Sequence, residues 1–166
     1  MSVASLWRGG VAASLLLPIA AQASGQGLPV ASHHEIVGGA QSCAAATSEA
    51  GVDERKLEAD GWRRATVTGK AADALTFYGK GKLLLTLSKP APKVCIVTAR
   101  IKEAETFGDI AFELEKATGT QGVAQPGEAN TIYWFVPGHL FQLALTGKPD
   151  APSVRVAVGY YAGEKK

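Results

Sequence analysis

Apolar residues recur along this chain with two periods, one near 3.6 and one of 2, and the alternation between them divides it into helices and strands. Ser32-His33-His34-Glu35 has the form of a capping box, in which the Ser hydroxyl accepts a backbone N–H and the Glu reaches back to the cap. Ile36, Val37, Ala40, Cys43, Ala44 and Thr47 follow at helical spacing and turn Cys43 inward. Gly38 and Gly39 weaken that helix, each by up to about 1 kcal/mol against Ala. Asp53 is placed to cap a second, short helix that Gly61 ends, with Leu57 and Trp62 as its apolar anchors. The strongest helical stripe is Phe107, Ile110, Ala111, Leu114 and Ala117, with Thr106 as cap, Asp109 three residues on, and Gly119 as the stop.

The period-2 segments lie between and after these helices. A short stretch at 65–68 is a candidate strand. Residues 75–78 and 82–87 flank the turn Gly79-Lys80-Gly81, and Leu83, Leu85 and Leu87 alternate onto one face. Residues 94–101 are apolar on both faces at their start, which places them centrally in a sheet. Residues 131–136 and 140–145 flank Pro137-Gly138 as a second hairpin, and 148–152 form a Pro-rich loop. Val154, Val156, Val158 and Tyr160 then alternate with Ser153, Arg155, Ala157 and Gly159, giving a last strand with one buried face.

The resulting order, α-β-β-β-α-β-β-β, predicts an α+β fold: an antiparallel sheet of about six strands with helices on one face. The two halves echo each other. Leu85-Thr-Leu-Ser, a Pro-rich loop and Val94-Cys-Ile match Leu143-Ala-Leu-Thr, a Pro-rich loop and Val154-Arg-Val. One duplicated unit with pseudo-two-fold symmetry would produce this echo, and so would the ordinary recurrence of hairpins and Pro loops.

The N-terminal pattern is of another kind. A basic start with Arg8, an uncharged apolar run from Val11 to Ala21 and the small-residue exit Ala21-Gln22-Ala23 read as a signal peptide over 1–23, cleaved before Ser24. The run is shorter than the roughly 20 apolar residues of a membrane span, and Pro18 lies inside it. The first Cys, Cys43, is too far downstream for a lipid anchor. Residues 24–31 are expected to be a flexible linker, 32–163 a single α+β domain and 164–166 a solvated tail. The expected location is periplasmic or secreted. In an oxidising compartment the only two cysteines, Cys43 and Cys95, are most simply a disulfide. With 17 basic and 15 acidic residues, charge gives no argument for nucleic acid as a partner, and no membrane segment follows the signal.

Several motifs suggest chemistry and fail on context. Ile36-Val-Gly-Gly39 matches the activated N-terminus of trypsin-like proteases by letter, but the chain has no Gly-Asp-Ser-Gly-Gly and lies in a helical pattern here. His33 and His34 diverge on a helix instead of converging on one ion, and no His stands at ligand spacing from either Cys, so no metal is expected. Gly79-Lys-Gly-Lys82 joins two strands, whereas phosphate loops run from a strand into a helix. Asp109 and Glu113 lie opposite the apolar stripe of their helix, on its solvated side. No Gly-x-Ser-x-Gly occurs, and Ser42 and Ser88 have no triad context. No cofactor and no catalytic residue are predicted.

What remains is aromatic. Tyr133, Trp134 and Phe135 are consecutive on a strand, so either Tyr133 and Phe135 or Trp134 must point away from the core. An exposed aromatic there would stack on a ligand or on a partner protein, and Tyr133, Trp134, His139 and Phe141 are the candidate contact residues. The expected function is an exported binding domain for a protein or small molecule. The alternatives are a small hydrolase whose groups converge only in the fold, with His139 or a buried carboxylate in a concave pocket, and an envelope accessory protein acting through shape.

Overall fold

A computed structural model describes residues 27–163, so the expected signal peptide at 1–23 and tail at 164–166 lie outside the described residues. The capping box forms as the sequence predicts. Ser32 Oγ accepts the Glu35 N–H at 3.3 Å, and Glu35 Oε2 accepts the Ser32 N–H at 2.8 Å. Helix α1 (His33–Ala46) follows and buries Ile36, Val37, Ala40 and Cys43. It ends where Thr47 Oγ1 donates to the Cys43 carbonyl at 2.7 Å. Gly39 has a role that composition conceals: a Cβ there would lie 2.9 Å from Leu83 Cδ1 and 3.2 Å from Val97 Cγ1, so the glycine lets α1 sit close on the sheet. A Cβ on Gly38 would meet nothing.

A two-stranded ribbon, β1 (Thr47–Ser48) with β2 (Gly51–Val52), leads into α2 (Glu54–Ala59), whose cap Asp53 accepts from the Arg55 N–H at 3.0 Å. Leu57 and Trp62 are fully buried anchors, as expected. Then come β3 (Arg63–Ala65), α3 (Lys70–Ala74), β4 (Leu75–Lys80), β5 (Leu83–Ser88), β6 (Val94–Arg100), α4 (Thr106–Thr118), β7 (Val123–Ala124), β8 (Thr131–Val136), β9 (Gly138–Lys148) and β10 (Ala151–Tyr161). Eight strands join one antiparallel sheet in the order β3-β4-β5-β6-β10-β9-β8-β7. Helices α1 and α4 pack on each other, and with α2 they cover one face of that sheet.

The α+β class and the large antiparallel sheet match expectation, but the strand count and order do not. The sheet has eight strands instead of about six. The additions are edge strands: β7 is two residues long and wholly exposed, too short to show any alternation. The strand expected at 65–68 is β3, shifted to Arg63–Ala65. The Pro-rich loop expected at 148–152 shrinks to a turn at Pro149-Asp150, and β9 and β10 are long, 11 residues each. Pro152 is tolerated because it stands second in its strand, where its carbonyl accepts from Ile101 N at 3.1 Å. Thr106 is the first helical residue and not the cap; Glu105 occupies that position without a side-chain bond, entered from a turn at 103–107. Ala117, expected in the apolar stripe, is exposed. Part of the segment expected to be a linker is docked: Val30 bridges Arg100, and the Ala31 N–H donates to the Arg100 carbonyl at 2.9 Å.

The central strands β6 and β10 pair in register from Val94↔Gly159 to Arg100↔Ser153. Cys95, on the helix-bearing side of β6, forms the expected disulfide with Cys43 of α1, with 5.6 Å between Cα atoms. The bridge thus ties the first helix to the middle of the sheet. Closing a loop of this length restricts the unfolded chain by about 4 kcal/mol on an entropic account.

Candidate functional site

Strand alternation separates the four aromatic and His candidates. Trp134 and Phe141 are cross-strand partners on the helix-bearing face, 0% and 5% exposed, within the main core. His139, two residues from Phe141, shares that face and places Nε2 3.2 Å from the Thr47 carbonyl at the end of α1. A carbonyl only accepts, so Nε2 carries the proton in this contact. His139 is therefore a positioned tie between β9 and the end of α1, and among the described residues no carboxylate or nucleophile is hydrogen-bonded to it. Trp134 and Phe141 are corrected as surface contacts, because core packing takes the surface that a ligand would need. Tyr133 alone of the four stands on the opposite, open face. Phe135 and Tyr161, missed as candidates, stand with it.

The Tyr133 and Phe135 rings are stacked with centroids 6.4 Å apart, and Tyr161 meets Phe135 edge-on at 5.4 Å. The Gln142 amide donates to the Tyr133 hydroxyl at 2.9 Å, and that hydroxyl donates to Glu128 at 2.6 Å. The accepting carboxylate pushes the Tyr133 phenol above its ordinary pKa, so it remains a donor at neutral pH. Phe135 is 42% exposed, and Val94 and Val123 on the same face are 39% and 52% exposed. Large apolar side chains thus stand open together on one sheet face.

The cross-strand register sorts this face into tiers. Val94, Gly159, Leu140 and Phe135 lie side by side in the first. Ile96, Ala157, Gln142 and Tyr133 form the second, with Val123 of β7 beyond. Thr98, Arg155, Ala144 and Thr131 form the third. Arg100, Ser153 and Thr146 form the fourth. At the far edge the open face is covered: Phe77 of β4 is only 4% exposed, in a region where residues 64–67 and Ala72 border it.

A second concavity, about 450 Å³, lies between α1 and the β4–β5 turn and is lined by His34, Glu35, Ser42, Asp60, Lys80 and Leu83. Here folding does bring polar groups together. Ser42 Oγ donates to Asp60, Lys80 Nζ lies 2.9 Å from the same carboxylate, and Lys80 also sits 5.9 Å from the Trp62 ring. The Ser42 and Lys80 donors hold the Asp60 carboxyl below its ordinary pKa. An exposed carboxylate stabilised as an anion is a poor general base, so the cluster acts as a seam fastening the β4–β5 turn to α1. Glu113 on α4 is likewise ion-paired, with Lys116 at 3.1 Å, but its side chain is only 23% exposed and borders the groove between α4 and α1 instead of facing open solvent.

The rings of His33 and His34 lie 4.1 Å apart, nearer than helical divergence alone would place them. Among the described residues no group of three or more His, Cys, Asp or Glu side chains could hold a metal ion, and no described helix is long and apolar enough to cross a membrane. Comparisons with family models, with curated proteins and with solved structures return no match for the chain.

Proposed function

We propose that this chain is an exported binding domain that holds its ligand on the open face of the sheet, with Tyr133, Phe135 and Tyr161 as the aromatic contacts. The observation that carries the reading is the aromatic row itself: two ring pairs in contact, on the face opposite α1 and α4, beside exposed Val94 and Val123. Aromatic rings offer large contact area at low entropic cost, which is why they dominate binding surfaces. The Cys43–Cys95 disulfide is compatible with export, since such bridges persist in oxidising compartments.

Native mass spectrometry of the protein recovered from the export fraction of its cells tests the reading. The expected result is a polypeptide beginning at Ser24, with the bridge intact and an accompanying mass that denaturation removes. Tyr133→Ala with Phe135→Ala should abolish that mass at unchanged melting temperature. A full-length chain with two free thiols would overturn export, and an accompanying mass indifferent to both substitutions would overturn the open face as the site.

A further inference from the structure

We propose that the open face takes a single-chain anionic amphiphile, with its acid head at Arg100 and Arg155 and its apolar chain along β10 over Ala157 and Gly159. The proposal rests on the open face being the binding surface and adds the class of ligand. The four tiers contain no carboxylate, and their charged side chains are these two guanidiniums, both at one end. Among the described residues neither guanidinium has a carboxylate within 4 Å. Arg100 and Arg155 stand diagonally across β6 and β10, because Ser153 faces Arg100 and Thr98 faces Arg155.

A second observation at the same place points to a missing acceptor. Ser153 is 3% exposed, and its Oγ has no hydrogen-bond partner among the described residues. Its cross-strand neighbour Arg100 has a buried Nε, also without a partner. Buried polar groups are nearly always paired, so two orphan donors side by side leave this end of the face short of acceptors. A carboxylate or phosphate supplies several acceptor oxygens at once and suits guanidinium geometry.

From this end β10 leads into the apolar tiers. Arg155, Ala157 and Gly159 stand in line on one face, so the side chains shrink to a bare Cα along the strand. A Cβ on Gly159 would lie 3.6 Å from Val94 Cγ2, so Val94 forms one wall of the trough, and Leu140, paired with Gly159, forms the other. The run from residue 155 to 159 spans roughly 13 Å at strand rise, within reach of a medium-length acyl chain. Charge at one end and small apolar residues along the rest match a molecule that is itself charged at one end.

Calorimetric titration below the micellar range, with dodecanoate, dodecyl phosphate and dodecyltrimethylammonium, tests this. Dodecanoate or dodecyl phosphate should bind, and whichever binds tighter identifies the head group; the cationic amphiphile should not bind. Arg155→Gln, at an exposed position, should weaken binding at least tenfold, and Ala157→Leu should weaken it by filling the trough. Equal binding of the cationic amphiphile, or an Arg155→Gln affinity equal to wild type, would overturn the proposal. If no amphiphile binds while the co-purifying mass still depends on Phe135, the ligand class falls and the open face stands. If that mass is indifferent to Phe135 as well, both fall.

Discussion

Tyr133 and Trp134 are neighbours in sequence with opposite fates, and so are the two faces of the sheet they belong to. The helix-bearing face collects Trp134, Phe141, Leu143 and the alternating valines of β10, all at or below 5% exposure. The open face keeps residues of similar hydrophobicity in water: Phe135, Val94, Val123 and the half-buried Ile96 and Leu140. Burial of apolar area is the main favourable term in folding, so the first face accounts for stability. The second gains nothing comparable from folding alone, which makes binding the better account of its composition.

The sharpest way to break this comparison is to truncate across it. Trp134→Ala should destabilise by about 3–5 kcal/mol through the cavity it leaves. Tyr133→Ala and Phe135→Ala should each cost less than about 1 kcal/mol, as surface changes do. Chemical denaturation of the three variants measures this, and similar losses in all three would mean the open face is a working part of the core. Removing the disulfide sharpens the same contrast, since both sulfurs lie on the helix-bearing side. Cys43→Ala with Cys95→Ala should lower stability by up to about 4 kcal/mol. Amphiphile binding at a temperature where the variant is still folded should be unchanged.

The backed face was largely legible in the sequence, and the open face was not. Capping at Ser32 and Asp53, the left-handed stop at Gly119 and the inward turn of Cys43 are local features with local chemical signatures, and all of them formed. Alternation fixed that Tyr133 and Trp134 must part, but which one faced the helices depends on where α1 and α4 pack, and that is long-range information. The same holds for His139, whose partner is Thr47 at the end of α1, far away in sequence. Phe135 was visible as Tyr133's i+2 neighbour and should have been taken with it. The edge strand β7 escaped, and β3 was placed two residues late, because strands of two or three exposed residues carry no period.

Adjacent glycines of α1 offer a smaller test of how closely the backed face is packed. Gly38→Ala should stabilise by about 0.5–1 kcal/mol, because it adds helix propensity where a Cβ meets nothing. Gly39→Ala gains the same propensity but drives a methyl against Leu83 and the stiff, β-branched Val97. The two variants should therefore differ by at least about 1 kcal/mol, with Gly39→Ala the less stable. Equal midpoints in denaturant would mean that α1 does not rest on the sheet through Gly39.

The smallest effect lies at the start of that helix and depends on pH. Hydrogen bonds from the Ser32 backbone and hydroxyl, helped by Lys82, hold the Glu35 carboxyl below its ordinary pKa. A carboxyl whose pKa is lower folded than unfolded adds stability above its unfolded value, and that stability is lost as the pH falls through the folded value. Ser32→Ala should cost about 1 kcal/mol near neutral pH, as cap removal does. Part of that difference should vanish in acid, because protonated Glu35 no longer accepts from the Ser32 hydroxyl as an anion, a bond of 2.9 Å that the variant lacks. Melting curves of wild type and Ser32→Ala at pH 7 and in acid read the difference directly. A gap that stays constant would mean that the Ser32 hydroxyl caps alone and the charge of Glu35 contributes nothing, leaving α1 anchored by its packing on the sheet and by the Cys43 bridge.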